Sequence, residues 1–172
     1  MTPKALFLDR DGVINEDVAY PHKPEQIVFV NGIFDLCKKA IDKDYCIVVV
    51  TNQAGVAKGY FTEEDVQKLH EWMKEQFAAR GISIAGFYYC PFHKNASIER
   101  YRADSNDRKP KPGLFIKAAE ELKIDLSRSL MVGDKKSDRI ELPQLRSIVI
   151  KSKYISEGYD IENLKDVDGY LL

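Results

Sequence analysis

Cysteine is scarce in this chain: Cys37, Cys46 and Cys90 are the only three in 172 residues. An odd number in no paired spacing argues against a disulfide framework and for a reducing compartment, so a cytoplasmic location is expected. Charge of a single sign is also missing, with 26 Lys and Arg interspersed among 27 Asp and Glu. Without a basic run there is no track for nucleic-acid phosphates and no footing on an anionic membrane; neither is expected as a partner, and small molecules are. Long apolar runs are absent too. The stretch before Arg10 is broken at Asp9, too short for a signal segment and far below the ~20 residues of a membrane-spanning helix. Repeats and low-complexity segments are lacking. At this length one domain over residues 1–172 can bury a full core without crosslinks, and a second is not expected.

What the chain does contain is an alternation of strand-length apolar runs with helical periodicity. Runs at 5–8, 46–50, 84–90, 129–132 and 148–150 read as buried strands. Between them, Ile33, Leu36, Cys37, Ala40 and Ile41 recur at helical spacing over 32–42, and Val66, Leu69, Met73 and Phe77 do so over 62–80. Thr62 caps the second helix, the acids that follow favour its positive end, and Gly81 stops it. A third helix runs from Pro112-Gly113 to Lys123. The pattern predicts an α/β fold, a Rossmann-like doubly wound parallel sheet. The polar segment 91–111 reads as a long loop carrying too many charges to be core, and loops of that length usually serve a function or move.

Three of the apolar runs end in a reactive side chain: Leu8 into Asp9, Val50 into Thr51-Asn52-Gln53, and Val132 into Gly133-Asp134. In a parallel sheet such exits share one edge, where ligands bind. Lys109 adds a cation. These residue types suit phosphoryl transfer. Asp9 is expected to attack phosphorus as the nucleophile, and Asp11 to protonate the leaving oxygen and then take a proton from water. Arg10, between them, is expected to point away. Mg²⁺ favours oxygen donors, and the carboxylates of Asp9 and Asp134 with the backbone carbonyl of Asp11 would supply them. Thr51 and Lys109 would neutralise charge on the transferring group, and Asp138 could hold Lys109 or a metal-bound water.

With these motifs, Asp9-Arg10-Asp11-Gly12, Thr51, Lys109 and Gly133-Asp134, the chain resembles phosphatases of the haloacid dehalogenase superfamily. Longer blocks at 7–15, 51–59, 88–91, 108–113 and 131–135 are similar to those of the heptose 1,7-bisphosphate and histidinol-phosphate phosphatases of that superfamily. The resemblance implies that Asn52, Arg108 and Lys109 contact the substrate or its phosphate, and that Lys135 lies near the site. It also implies the 7-phosphate of a heptose bisphosphate as target, with histidinol phosphate as the alternative. A phosphate-binding domain that has lost catalysis is a further reading, opposed by the intact Asp9, Asp11, Lys109 and Asp134. A DNA 3′-phosphatase is opposed by the absent basic bias.

Relatives of this kind often carry a structural zinc before the lysine motif. Here Cys90 stands alone, Phe92 occupies the place of a histidine, and Ser105 and Asp107 fall where later cysteines would be. Four nitrogen or sulfur donors are wanted, so no zinc is expected, although a shifted Cys90, His93 and Asp107 set is conceivable. Pro143 leaves room for only a short helix after Asp134. No segment is large enough for a separate cap domain, and closure falls to loops 15–25, 53–61 and 91–108. A monomer is expected.

Overall fold

Five parallel strands in the order β3-β2-β1-β4-β5 form the centre of the protein in this computed structural model. They are β1 (Lys4–Leu8), β2 (Tyr45–Asn52), β3 (Ile84–Cys90), β4 (Leu130–Gly133) and β5 (Arg146–Val149). The sheet is covered on both faces, which is why its strands read as continuous apolar runs rather than as alternating ones. Side chains still alternate between two cores. Leu6 and Leu8 enter the larger cluster, with Ile47, Val49 and Val132, whereas Ala5 and Phe7 enter a second, with Val48, Val50 and Met131.

Helix α1 (Ile33–Asp42) and the longer α3 (Glu63–Ala78) close the first core with Ile33, Leu36, Leu69, Met73 and Phe77. Helix α4 (Gly113–Leu122) closes the second with Leu114, Phe115 and Ala118, and the Phe115 ring meets Phe7 edge-on at 5.1 Å. Each such side chain taken out of water stabilises the fold by roughly 1.5–3 kcal/mol. Thr62 caps α3 as expected: its hydroxyl accepts from the Asp65 amide at 3.1 Å, and the Asp65 carboxylate accepts from the Thr62 amide at 2.9 Å. Helix α4 ends without a glycine, on Lys123 in the left-handed region at φ 57°.

Some expectations change. Segment 53–61 is not all loop, since Ala54–Ala57 forms the short helix α2. The charged segment 91–111 lacks sheet or α-helix, yet it contributes to a core: Ala96 and Tyr101 are buried with Val56, Ala57, Phe61 and Val66 in a third, small cluster. The reason is local. Glu63, in the first turn of α3, accepts hydrogen bonds from the hydroxyls of Tyr89 and Tyr101, both at 2.8 Å, and draws the segment down. After Asp134 the chain makes only a 3-10 turn, Lys136–Asp138. No helix is long and apolar enough to cross a membrane.

Candidate active site

Register aligns the strand exits. Leu8 lies opposite both Val49 of β2 and Val132 of β4, so Asp9, Thr51 and Asp134 leave the sheet at nearly one level. Asp9 continues the ladder by one bond, its amide donating to the Val132 carbonyl at 3.0 Å. The chain then turns about the Arg10 carbonyl, which accepts from the amides of Val13, Ile14 and Asn15. Gly12 is required in that turn. Its φ is +94°, and a Cβ there would stand 2.1 Å from Asp134 Oδ2.

Asp9 and Lys109 come from segments a hundred residues apart and meet at 2.8 Å between Nζ and Oδ1. The same ammonium lies 2.7 Å from Asp138 Oδ1. All three side chains are buried. The other oxygen of Asp138 accepts from the amides of Asp134 and Lys135, at 3.0 and 3.1 Å. This fold-back needs Gly133, where a Cβ would fall 2.1 Å from the Asp138 carboxyl carbon. Asn52 is a clamp on the lysine backbone: its Oδ1 accepts from the Lys109 amide at 3.0 Å and its Nδ2 donates to the Lys109 carbonyl at 3.3 Å.

Charge at this point is unbalanced. Burial, and then the neighbouring Asp138, push the Asp9 carboxyl well above the ordinary range, against the pull of Lys109. Asp134 is raised to about 6 by burial and by Asp138. Burial would lower Lys109, but Asp138 and Asp9 outweigh it and hold the ammonium above its ordinary value. Ligand oxygens of Asp9, Asp134 and Asp138 all lie within 4.8 Å of one another, and Asp134 Oδ1 is buried without a hydrogen-bond partner. An orphaned carboxylate oxygen in a cluster of three buried acids, two of them on one ammonium, is the donor set of a hard divalent cation, and Mg²⁺ fits it.

Asp11 sits differently. Burial alone would raise its carboxyl, but Arg10 and the amides of Asn15 and Gln53 hold it below the ordinary range. Gln53 Nε2 reaches both Asp11 Oδ2, at 3.2 Å, and the Thr51 hydroxyl oxygen, at 2.9 Å. Because the amide donates there, the hydroxyl proton of Thr51 turns elsewhere, toward the Asn52 carbonyl oxygen at 3.4 Å.

These groups open on a cavity of about 450 Å³. Asp9, Asp11, Thr51, Asn52, Arg108 and Lys109 all line it, and Asp134 stands beside Asp9 in the acid cluster. Its outer wall comes from the expected loops through Tyr20, Lys58 and His93, and from a segment the sequence did not single out, through Lys153 and Tyr154. The Tyr154 hydroxyl donates to Asp17, and Lys58 donates to the Tyr20 hydroxyl, so these side chains join the walls across the rim. Lys135 lies on the same wall.

Arg10 points away from the cavity, as expected; it is fully buried and binds the Asp11 carboxylate through Nε and Nη2. Gln53 and Arg10 were missed because their roles depend on which acid they meet. Cys90 is buried with its Sγ 3.8 Å from the Phe92 carbonyl oxygen, and burial raises its thiol; His93 Nδ1 accepts from the Asn95 amide at 3.0 Å.

A doubly wound sheet with an aspartate pair after its central strand, a lysine ammonium on the first acid and a late aspartate beside it defines a phosphatase of the haloacid dehalogenase superfamily. Residues 11–158 match the family model described as polynucleotide kinase 3 phosphatase, and the chain belongs to that family. It is 49% identical over 138 residues to the D-glycero-alpha-D-manno-heptose-1,7-bisphosphate 7-phosphatase of Burkholderia mallei, covering 80% of this chain and 73% of that protein. With the D-glycero-beta-D-manno-heptose-1,7-bisphosphate 7-phosphatase of Vibrio cholerae it shares 38% over 182 residues, covering 100% and 98% of the two chains. Its fold is that of the D,D-heptose 1,7-bisphosphate phosphatase from B. bronchiseptica solved with magnesium and phosphate, with a TM-score of 0.79 at 24% identity over 98% of this chain and 97% of that one.

Proposed function

We propose that this enzyme removes the 7-phosphate of D-glycero-D-manno-heptose 1,7-bisphosphate in two displacements at phosphorus, through an aspartyl phosphate on Asp9. In the first, an Asp9 carboxylate oxygen bonds to phosphorus, the bond from phosphorus to the sugar oxygen breaks, and Asp11, ionised in the free protein, passes to that oxygen a proton it takes from the phosphate monoester monoanion. In the second, water attacks the acyl phosphate, Asp11 takes the proton of the water, and the phosphorus–Asp9 bond breaks to release phosphate. Lys109 stays on the Asp9 oxygen throughout, and the hydroxyl of Thr51 turns from its long bond to the Asn52 carbonyl to meet a phosphate oxygen. Asp9, Asp134 and the Asp11 carbonyl would hold Mg²⁺, which supplies charge neutralisation at the transferring group when bound.

The observation that carries this reading is the ammonium of Lys109 pinned between Asp9 and Asp138 at the floor of the cavity. The sugar bisphosphate is supported by the two heptose relatives and by the far wall. There, Arg108 carries a buried Nη1 with no partner, and Lys58, Lys135 and Lys153 line the same cavity. A second phosphate would satisfy that unpaired donor.

The test is phosphate release with Mg²⁺ from both anomers of the heptose bisphosphate, from histidinol phosphate and from an oligonucleotide bearing a 3′-phosphate. The highest kcat/KM is expected for one heptose anomer, with Asp9→Asn inactive on every substrate. A value for histidinol phosphate or the oligonucleotide that equals or exceeds it would overturn the substrate. Turnover by Asp9→Asn would overturn the mechanism.

A further inference from the structure

Arg10 is among the most buried side chains of the molecule, and each of its three guanidinium nitrogens has a partner. Nε and Nη2 lie 3.0 and 3.2 Å from the two oxygens of Asp11, Nη2 also donates to the Pro21 carbonyl at 3.0 Å, and Nη1 lies 3.2 Å from Nε2 of His70. A guanidinium only donates, so His70 must present a lone pair at Nε2 and keep its proton on Nδ1. His70 is buried on α3, its ring stacked on Phe87 of β3 at 4.7 Å.

The Asp11 carboxylate accepts from Arg10 on both oxygens, from Asn15 on Oδ1 at 3.0 Å and from Gln53 on Oδ2 at 3.2 Å. Arg10 is the only charged donor of the three and the only one that grips both oxygens. Its fork is planar and rigid. If Nη1 lost its acceptor inside the core, the cheapest relief for a buried, unpaired N–H would be rotation toward another acceptor, and rotation would lift the fork from Asp11.

We propose that His70 is a positioning residue for proton transfer: acting through Arg10, it fixes the direction of the Asp11 carboxyl. The inference rests on the role given to Asp11 above. It goes beyond packing because it requires the lone pair of His70 rather than its ring.

The experiment compares kcat/KM for a primary alkyl phosphate, such as the heptose bisphosphate, with that for p-nitrophenyl phosphate. The alkoxide needs a proton as it leaves, whereas p-nitrophenolate does not, and kcat/KM reports only steps up to departure of the leaving group. His70→Phe retains ring stacking but has no lone pair, and it is expected to lower the alkyl-to-aryl ratio about tenfold. His70→Gln offers an amide oxygen to Nη1 and should restore the ratio to within about twofold of wild type. Arg10→Lys, which keeps charge without the fork, should lower the ratio even if His70→Phe folds poorly.

Equal loss on both substrates, or none, in His70→Phe and Arg10→Lys would overturn the inference. Asp11→Asn separates it from its premise. A lowered ratio in Asp11→Asn without one in His70→Phe defeats the link through Arg10 alone, whereas an unchanged ratio in Asp11→Asn defeats the role of Asp11 and the inference with it.

Discussion

Replacing Lys109 by methionine tests the electrostatic centre of this site. The side chain is 2% exposed and its ammonium lies 2.8 and 2.7 Å from Asp9 and Asp138. Methionine fills much of the same volume but leaves Asp9, Asp134 and Asp138 crowded without a cation. Removing one partner of a buried ion pair costs about 3–5 kcal/mol, a large part of the 5–15 kcal/mol that holds an ordinary domain together. For a chain of this size each kcal/mol corresponds to roughly 2–4 °C, so Tm in EDTA should fall by on the order of 10 °C near neutral pH. The pH dependence has a definite sign. In wild type the raised pKa of Lys109 contributes stability that is complete below the ordinary lysine value and is lost only as pH rises through the higher folded value. In the variant, Asp9, already raised in the fold, loses that cation. A carboxyl raised on folding stabilises while it is protonated and ceases to as pH rises through its folded pKa. The deficit should therefore be small near about pH 5 and full near about pH 8, and excess Mg²⁺ should recover part of it. Calorimetric scans of both proteins, with EDTA and with Mg²⁺, supply the comparison. Equal Tm values near pH 8 in EDTA would refute the claim that this ammonium balances the acids.

Mg²⁺ must displace the protons that the raised Asp134 and Asp9 carboxyls hold in the metal-free protein, so titration calorimetry should find affinity that weakens as pH falls from about 8 through 6 to about 5. Affinity that is flat across this range would remove Asp134 from the ligand set. Gly133→Ala would drive a Cβ into the Asp138 carboxyl and unseat the acceptor of Lys109 and of two backbone amides. A loss of about 2–4 kcal/mol in urea unfolding is expected, with lowered activity. Gly12→Ala joins left-handed strain to a clash with Asp134, and Mg²⁺ binding should weaken along with stability; unchanged Mg²⁺ affinity would mean that Asp134 does not hold the ion.

The α/β layering was legible because local rules and the tertiary fold agree along most of the chain. Apolar runs of three to seven residues became strands of four to eight covered on both faces, and the Thr62 cap formed as its side chains dictate. Legibility failed where a residue's role depends on a distant partner. The charge of segment 91–111 suggested a solvated loop, but the Tyr101 hydroxyl, on the same Glu63 carboxylate as Tyr89 of β3, draws part of it into a core. Asn52 lines the cavity, but the bonds its amide makes to the backbone of Lys109 could not be read from its position in the chain. Lys153 and Tyr154, on the cavity wall, carry no local signature at all.

By itself the sequence determined which chemistry was at hand: acids at the ends of apolar strands, glycines beside two of them, and a lysine among prolines. Residue type and spacing carry that information because strand exits in a parallel sheet share an edge. Only the tertiary structure decided how the charges are shared. Burial and register place one ammonium among three acids and turn Arg10 inward to grip Asp11, and Coulomb energy and desolvation depend on ångström distances that no linear pattern encodes.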